Sequence, residues 1–282
     1  MKPLDRIKSI IALFKETFAS FFEERAHLHA ATISYYTLFS MIPLLYFIVI
    51  GFGKILGQDF CIQVITDIFQ KNVGLNDIEV YTDYLKNLNQ QSRSWALNFV
   101  MICVLLYSCS AFMVSLKHSM NDFFDITPNK QHKINIFLDV LKFRFFSLSY
   151  LALIALAIFL LYFLQIFVFS ILSSWFAMLH FEYLLLQYVF SIVLNFVVII
   201  FVFKFIQDGK ISWSLASKGA FLTAVLLFLS QLIIKWYLQH YFFLGRGDLV
   251  GSIFILMAWV FYSAQVIFFG AKFTYIYGKR YP

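Results

Sequence analysis

The stretch Leu249 to Ala271, LVGSIFILMAWVFYSAQVIFFGA, runs for 23 residues without a charged side chain. A hydrocarbon layer about 30 Å thick is crossed by roughly 20 apolar residues in a helix, so this stretch is long enough to span a bilayer. Five others match it: Ala30 to Gly53, Trp95 to Leu116, Phe145 to Leu172, Phe181 to Phe203 and Gly219 to Tyr237. A spanning backbone must satisfy its own N–H and C=O groups, which leaves helices or a closed barrel. Barrel strands would alternate over about ten residues, whereas these runs are continuous. The fold class is therefore all-α, a polytopic membrane helix bundle with six transmembrane helices. Residues 1–282 form one integral membrane domain, with an amphipathic helix over 5–25 and a small helical extracytoplasmic cap within 54–94.

Composition agrees. The chain is 61% hydrophobic, 21% aromatic and only 13% charged, against about a quarter charged in soluble domains. Its +7 net charge is distributed unevenly. If the segment before the first span, the loops after the second and fourth, and the tail share one side, that side holds 16 of the 22 Lys and Arg residues. The excess of basic residues predicts that both termini are cytoplasmic. The same charge suits anionic lipid headgroups, at roughly 1 kcal/mol per basic residue near the surface, and nucleic acid is not expected as a partner.

Ahead of the first span, Ile7, Ile10, Ile11, Phe14, Phe18, Phe21 and Phe22 recur at helical spacing, with Lys8, Lys15 and Glu16 off that face. This pattern fits an interfacial helix, or one packed on the spans. The segment lacks the compact apolar core and cleavage site of a signal peptide, so Met1 is expected to begin the mature chain. In the cap, Phe60, Val64, Ile65 and Ile68, then Ile78, Tyr81, Leu85 and Leu88, give two short helical patterns around Gly74 and Asn76.

The first span is unusually polar, with Thr32, Ser34, Tyr35, Tyr36, Thr37 and Ser40 before Pro43. Pro43 removes a backbone donor and clashes with the carbonyl of Phe39, which predicts a kink or break. Tyr35, Tyr36, Thr37 and Ser40, with Ser34, either line a cavity or bond to neighbouring helices. The second span adds Ser108 and Ser110, followed by Lys117 and Asn121 as candidate headgroup or substrate contacts. His118 and Asp122 share a helix face but supply too few ligands for a metal.

Ser212, Ala216, Ala220 and Ala224 make a strip of small residues every four positions, read as a packing seam, and Gly247 with Gly251 forms a GxxxG at the mouth of the sixth span. Lys235 reads as a snorkelling residue. Cys61, Cys103 and Cys109 have no CxxC or paired spacing, so no disulfide framework or zinc site follows. No Walker motif or cofactor fingerprint is present, and no cofactor is expected.

Ala30, Ala31, Ser34, Tyr35, Tyr36, Thr37, Leu38, Phe39, Ser40 and Pro43 read as AAxxSYYTLFSxxP, and Gly251, Ser252, Trp259, Ser263, Gly270 and Ala271 as GSxxxxxxWxxxSxxxxxxGA. With the second-span serines, Lys117 and Asn121, these elements resemble the YihY/BrkB family of bacterial inner-membrane proteins over about Ala26 to Lys279. Some members carry the older label ribonuclease BN. The resemblance implies an inner-membrane envelope role, with transport or lipid translocation as the expected activity and a non-catalytic scaffold binding envelope partners as the alternative. A homo-oligomer is left open. Two positions depart from the family: Lys272 stands where members commonly have Glu, and Gly247 with Asp248 replaces an aromatic-Gly pair. A zinc nuclease would need a cluster such as HxHxDH. Here His27 and His29 are followed by Ala31 and Thr32 where the Asp and His should stand, so no enzyme activity is expected.

Overall fold

The computed structural model describes residues 3–57, 59–63, 95–126, 180–241 and 249–281. These are helical, apart from short turns, with no strand among the described residues. Among the described residues six long helices follow in order: α1 Pro3–Glu23, α2 Ala26–Leu56, α3 Trp95–Phe123, α4 His180–Phe205, α5 Trp213–Tyr241 and α6 Leu249–Arg280. The expected third span, Phe145 to Leu172, lies outside the described residues, as do Gly247 and most of the cap. Among the described residues, Asn98–Phe123, Tyr188–Phe205, Trp213–Ile234 and Ile253–Arg280 are long and apolar enough to cross a membrane.

The helices outrun the apolar stretches that announced them. Hydropathy marks only the length that hydrocarbon would cover, while a helix continues as long as its polar end finds partners. Thus α6 continues past Ala271 to Arg280, where Lys272, Tyr275 and Arg280 are all paired. Nor does Pro43 break α2, which is helical from Ala26 to Leu56. Proline deletes one backbone bond, and the turns on either side keep theirs. The Pro43 side chain lies outside the described residues.

Helix ends are closed by specific caps. Arg25 takes a left-handed φ of 52° after α1, its N–H bonding to Phe22 O at 3.0 Å. Asp125 does the same after α3 at 54°. There Ile126 N–H bonds to Asn121 O at 2.8 Å and Asp125 N–H to Asp122 O at 3.1 Å, the paired bonds of a Schellman cap. Ser212 caps the start of α5, its hydroxyl accepting from Leu215 N–H at 3.3 Å. It is exposed and does not extend the small-residue seam.

The chain divides into two compact units. The first comprises 1–26, 116–229 and 265–282; the second comprises 27–115 and 230–264. In the first, α5 and the end of α6 run antiparallel and touch through a reciprocal contact. A Cβ at Gly219 would collide with the Thr274 side chain, and a Cβ at Gly270 would collide with the Thr223 side chain. Both threonines donate to their own helix, Thr223 Oγ1 to Gly219 O at 2.7 Å and Thr274 Oγ1 to Gly270 O at 2.6 Å. One turn further, Gly278 receives Leu215. Ala216, Ala220, Ala224 and Ala271 are completely buried beside this line. Small residues allow close helix approach without a hydrophobic drive, as a lipid environment requires.

Aromatic packing completes the first unit. Phe123 stacks on Phe268 at 4.9 Å, and Phe124 meets Phe203 edge-on at 5.6 Å, around a fully buried Met120. Helix α1 lies antiparallel along the end of α6. Phe14 meets Phe273 at 5.3 Å and Phe21 meets Phe269 at 5.8 Å, while Leu13, Thr17 and Phe21 are buried. Arg280 pairs with Glu16 and donates to Ser9 O, and Ser9 bonds to Tyr281. Ile11, Phe18 and Phe22 stay exposed on the adjoining stripe. The helix therefore packs on a candidate span and keeps an apolar stripe exposed.

In the second unit, Ile33, Ser34 and Val49 of α2 are buried, and Tyr35 lies 4.6 Å from Phe39 and 5.4 Å from Tyr36. Ile255, Leu256 and Ala264 of α6 are buried as well.

The Gly–Thr contact gives a direct test. Gly270→Ala should lower stability by about 1–3 kcal/mol through overpacking, read as a lower thermal midpoint in detergent. Adding Thr223→Gly should recover part of that loss; full additivity of the two losses would show that the residues do not meet.

Candidate functional site

The polar end of the first unit gathers charged groups from four places in the chain. Lys117 and Asn121 lie one turn apart on α3, so they share a face. The 206–212 segment between α4 and α5 brings Asp208 to both. Asn121 Nδ2 donates to Asp208 Oδ2 at 2.9 Å, Asp208 N–H donates back to Asn121 Oδ1 at 2.9 Å, and Lys117 Nζ sits 2.7 Å from Asp208 Oδ1. Asn121 is only 2% exposed, whereas the Lys117 and Asp208 side chains are 33% and 42% exposed. The amide is a buried fixture that holds a carboxylate, and the carboxylate in turn holds a half-exposed ammonium.

Segment 206–212 is itself constrained. Lys204 donates to Ile211 O and lies 5.4 Å from the Trp213 ring, while any side chain at Gly209 would strike Ile126. Burial raises the affinity of Asp208 for a proton. The hydrogen bonds from Lys117 and Asn121, with the charges of Lys117 and His118, together outweigh burial and hold its carboxyl below the usual value.

A second cluster joins α1, α3 and α6. Lys272, 5% exposed, pairs with Glu24 in the turn after α1, and its ammonium lies 4.8 Å from the Tyr275 ring. Tyr275 donates to Asp125 Oδ2 at 2.8 Å, which fastens the left-handed residue that ends α3. Burial pushes the Glu24 carboxyl up despite the Lys272 bond and charge, and the charges of Asp125 and Asp122 add to the rise. Its Oε2 has no hydrogen-bond partner among the described residues.

The hydroxyl residues lie in the second unit and are mostly satisfied locally. Ser34 donates to Ala30 O, Thr37 to Ile33 O, Ser40 to Thr37 O, Ser108 to Val104 O and Ser110 to Tyr107 O, at 2.7 to 3.0 Å. Ser34, Ser108 and Ser110 are buried, Tyr35 is exposed, and Tyr36, Thr37 and Ser40 are half-buried. These bonds run to the donor's own helix, which commits the hydroxyl protons and leaves the oxygens as acceptors. Three paired groups escaped the sequence reading: Asp208 and Glu24, which look like ordinary loop acids, and Lys272, read only as a residue that reinforces orientation. A signal existed only for Asp208, an acid beside Gly209 in the short link between two spans.

Long apolar helices, two of them joined in the first unit through small-residue contacts, and charged pairs gathered at a polar end of that unit define a helical membrane protein. The family model described as virulence factor BrkB matches residues 17–282, and the chain belongs to that family. Comparison with curated proteins and with solved structures gives no match.

Two predictions follow from the charge clusters. Because the Asp208 carboxyl is held low, its stabilising contribution is complete above the ordinary carboxylate range, near pH 4, and is lost as pH falls through the lowered value. The thermal midpoint of the wild type should therefore drop more steeply than that of Asp208→Asn in titrations below about pH 4; parallel curves would remove Asp208 from the network. Lys272→Met should destabilise by about 2 kcal/mol, moderated by the part-exposure of Glu24, and Glu24→Gln on that background should recover some of the loss. A double variant no more stable than Lys272→Met would show that the pair is not coupled.

Proposed function

We propose that this chain is a multi-pass inner-membrane protein, with both termini cytoplasmic, that handles anionic lipids or related amphiphiles and moves them across the bilayer. The observation that carries this reading is the presentation of Lys117. It is half-exposed, anchored by Asp208 and Asn121, and stands at the end of an apolar helix long enough to span. A fixed ammonium at that level is suited to a phosphate-bearing headgroup, and 16 of 22 basic residues fall on the same side in the six-span topology. The reading is non-enzymatic: His27 and His29 lack the following Asp and His that a two-metal nuclease would use.

A second reading, a non-catalytic scaffold for envelope partners, is favoured by the hydroxyls of α2 and α3 that bond within their own helices. Their protons are then not free to bond a passing headgroup. The two readings part in vesicles of phosphatidylcholine and phosphatidylglycerol that hold a trace of fluorescent phospholipid. With the protein reconstituted, an impermeant quencher should reach label beyond the outer leaflet without general leakage. Lys117→Gln should slow this about fivefold, the worth of one basic headgroup contact. No excess quenching with the wild type would sink translocation and leave the scaffold.

A further inference from the structure

Ser34, Thr37, Ser108, Ser110, Thr223 and Thr274 all return their hydroxyl protons to a carbonyl three or four residues back. Ser263, on α6, does not. Its Oγ is shielded from solvent and has no hydrogen-bond partner among the described residues, and the same is true of Trp259 Nε1. The two residues are one helical turn apart, so both polar groups lie on one face of α6. Both belong to the second unit and to the stretch Ile253–Arg280 that is apolar enough to cross a membrane. Trp259 stands six residues inside that stretch, about 9 Å along the helix axis.

An indole N–H can only donate, and it has no way to reach a carbonyl of its own helix. A serine hydroxyl can, and elsewhere in this chain such hydroxyls do. Leaving both donors open at this depth is costly in hydrocarbon, where no water competes to satisfy them. The arrangement makes physical sense when an external oxygen acceptor completes it. Bilayer lipids at rest keep their polar oxygens near the interface, so an acceptor at this depth must be carried in.

We propose that Trp259 Nε1 and Ser263 Oγ form a two-donor site for a phosphate or ester oxygen of a phospholipid drawn into the span. The choice of ligand rests on the lipid-handling reading above; the site itself rests on the two open donors. Its test measures binding alone, so it can fail while translocation stands, or succeed where translocation fails.

The full chain, labelled with ¹⁵N at its five tryptophans, is titrated in detergent with short-chain phosphatidylglycerol while the indole N–H resonances are followed. Trp259→Phe identifies the Trp259 signal. The expected result is a saturable downfield shift of that signal, with binding weakened up to about tenfold in Ser263→Ala, the worth of one hydrogen bond, and retained in Ser263→Thr. A diether analogue separates the two sources. A shift with both lipids assigns a phosphate oxygen, and a shift with the diester alone assigns an ester carbonyl. A Trp259 signal that responds to neither lipid, including one that reports only exchange with water, overturns the proposal, as does equal affinity in Ser263→Ala.

Discussion

In the first unit two glycines meet two threonines, and α5 and the end of α6 are held together by that contact. Gly219 and Gly270 have no Cβ, so each admits a threonine from the opposite helix. Each threonine satisfies its hydroxyl on the carbonyl of the glycine one turn back, so the contact leaves no donor unpaired in an apolar setting. Brought this near, α5 carries its capped start, and the 206–212 segment ahead of it, to a fixed level against α6. Asp208 then reaches Asn121, and the end of α6 offers Phe269 and Phe273 to α1.

The two ion pairs at this end behave differently because their surroundings differ. Asp208 remains accessible to water and gains more from Lys117 and Asn121 than burial costs it, so its carboxyl is held low. Glu24 is more deeply enclosed, shares its neighbourhood with Asp122 and Asp125, and is pushed up in spite of Lys272. The first pair thus gains as carboxylates ionise, whereas the second carries the cost of a buried charge. Lys272 becomes intelligible in this setting. A lysine in a nearly closed position survives by having a carboxylate opposite, and Glu24 in the turn after α1 supplies it.

Hydroxyl content alone does not say where the protons go. The serines and threonines of α2 and α3 are numerous, yet those described above spend their protons on their own backbone, the cheapest partner available inside a membrane. The more telling pair is Trp259 and Ser263, part of the loosely patterned element GSxxxxxxWxxxSxxxxxxGA, which stands out only because its donors are left open.

Sequence alone determined the all-helical class, the apolar stretches and the family, because a span's length and apolarity are local properties that need no partner. Ala216, Ala220 and Ala224 were also readable as a seam, since a four-residue spacing places small side chains on one face. Lys117 and Asn121 were placed on one helix face for the same reason. The Schellman cap at Asp125, the reach of Asp208 to Asn121, the partnership of Glu24 with Lys272 and the meeting of Thr223 with Gly270 were decided only by tertiary structure. Each joins residues distant in the chain, or fixes a backbone angle that a distant partner holds in place, and no periodicity records which helix will stand opposite.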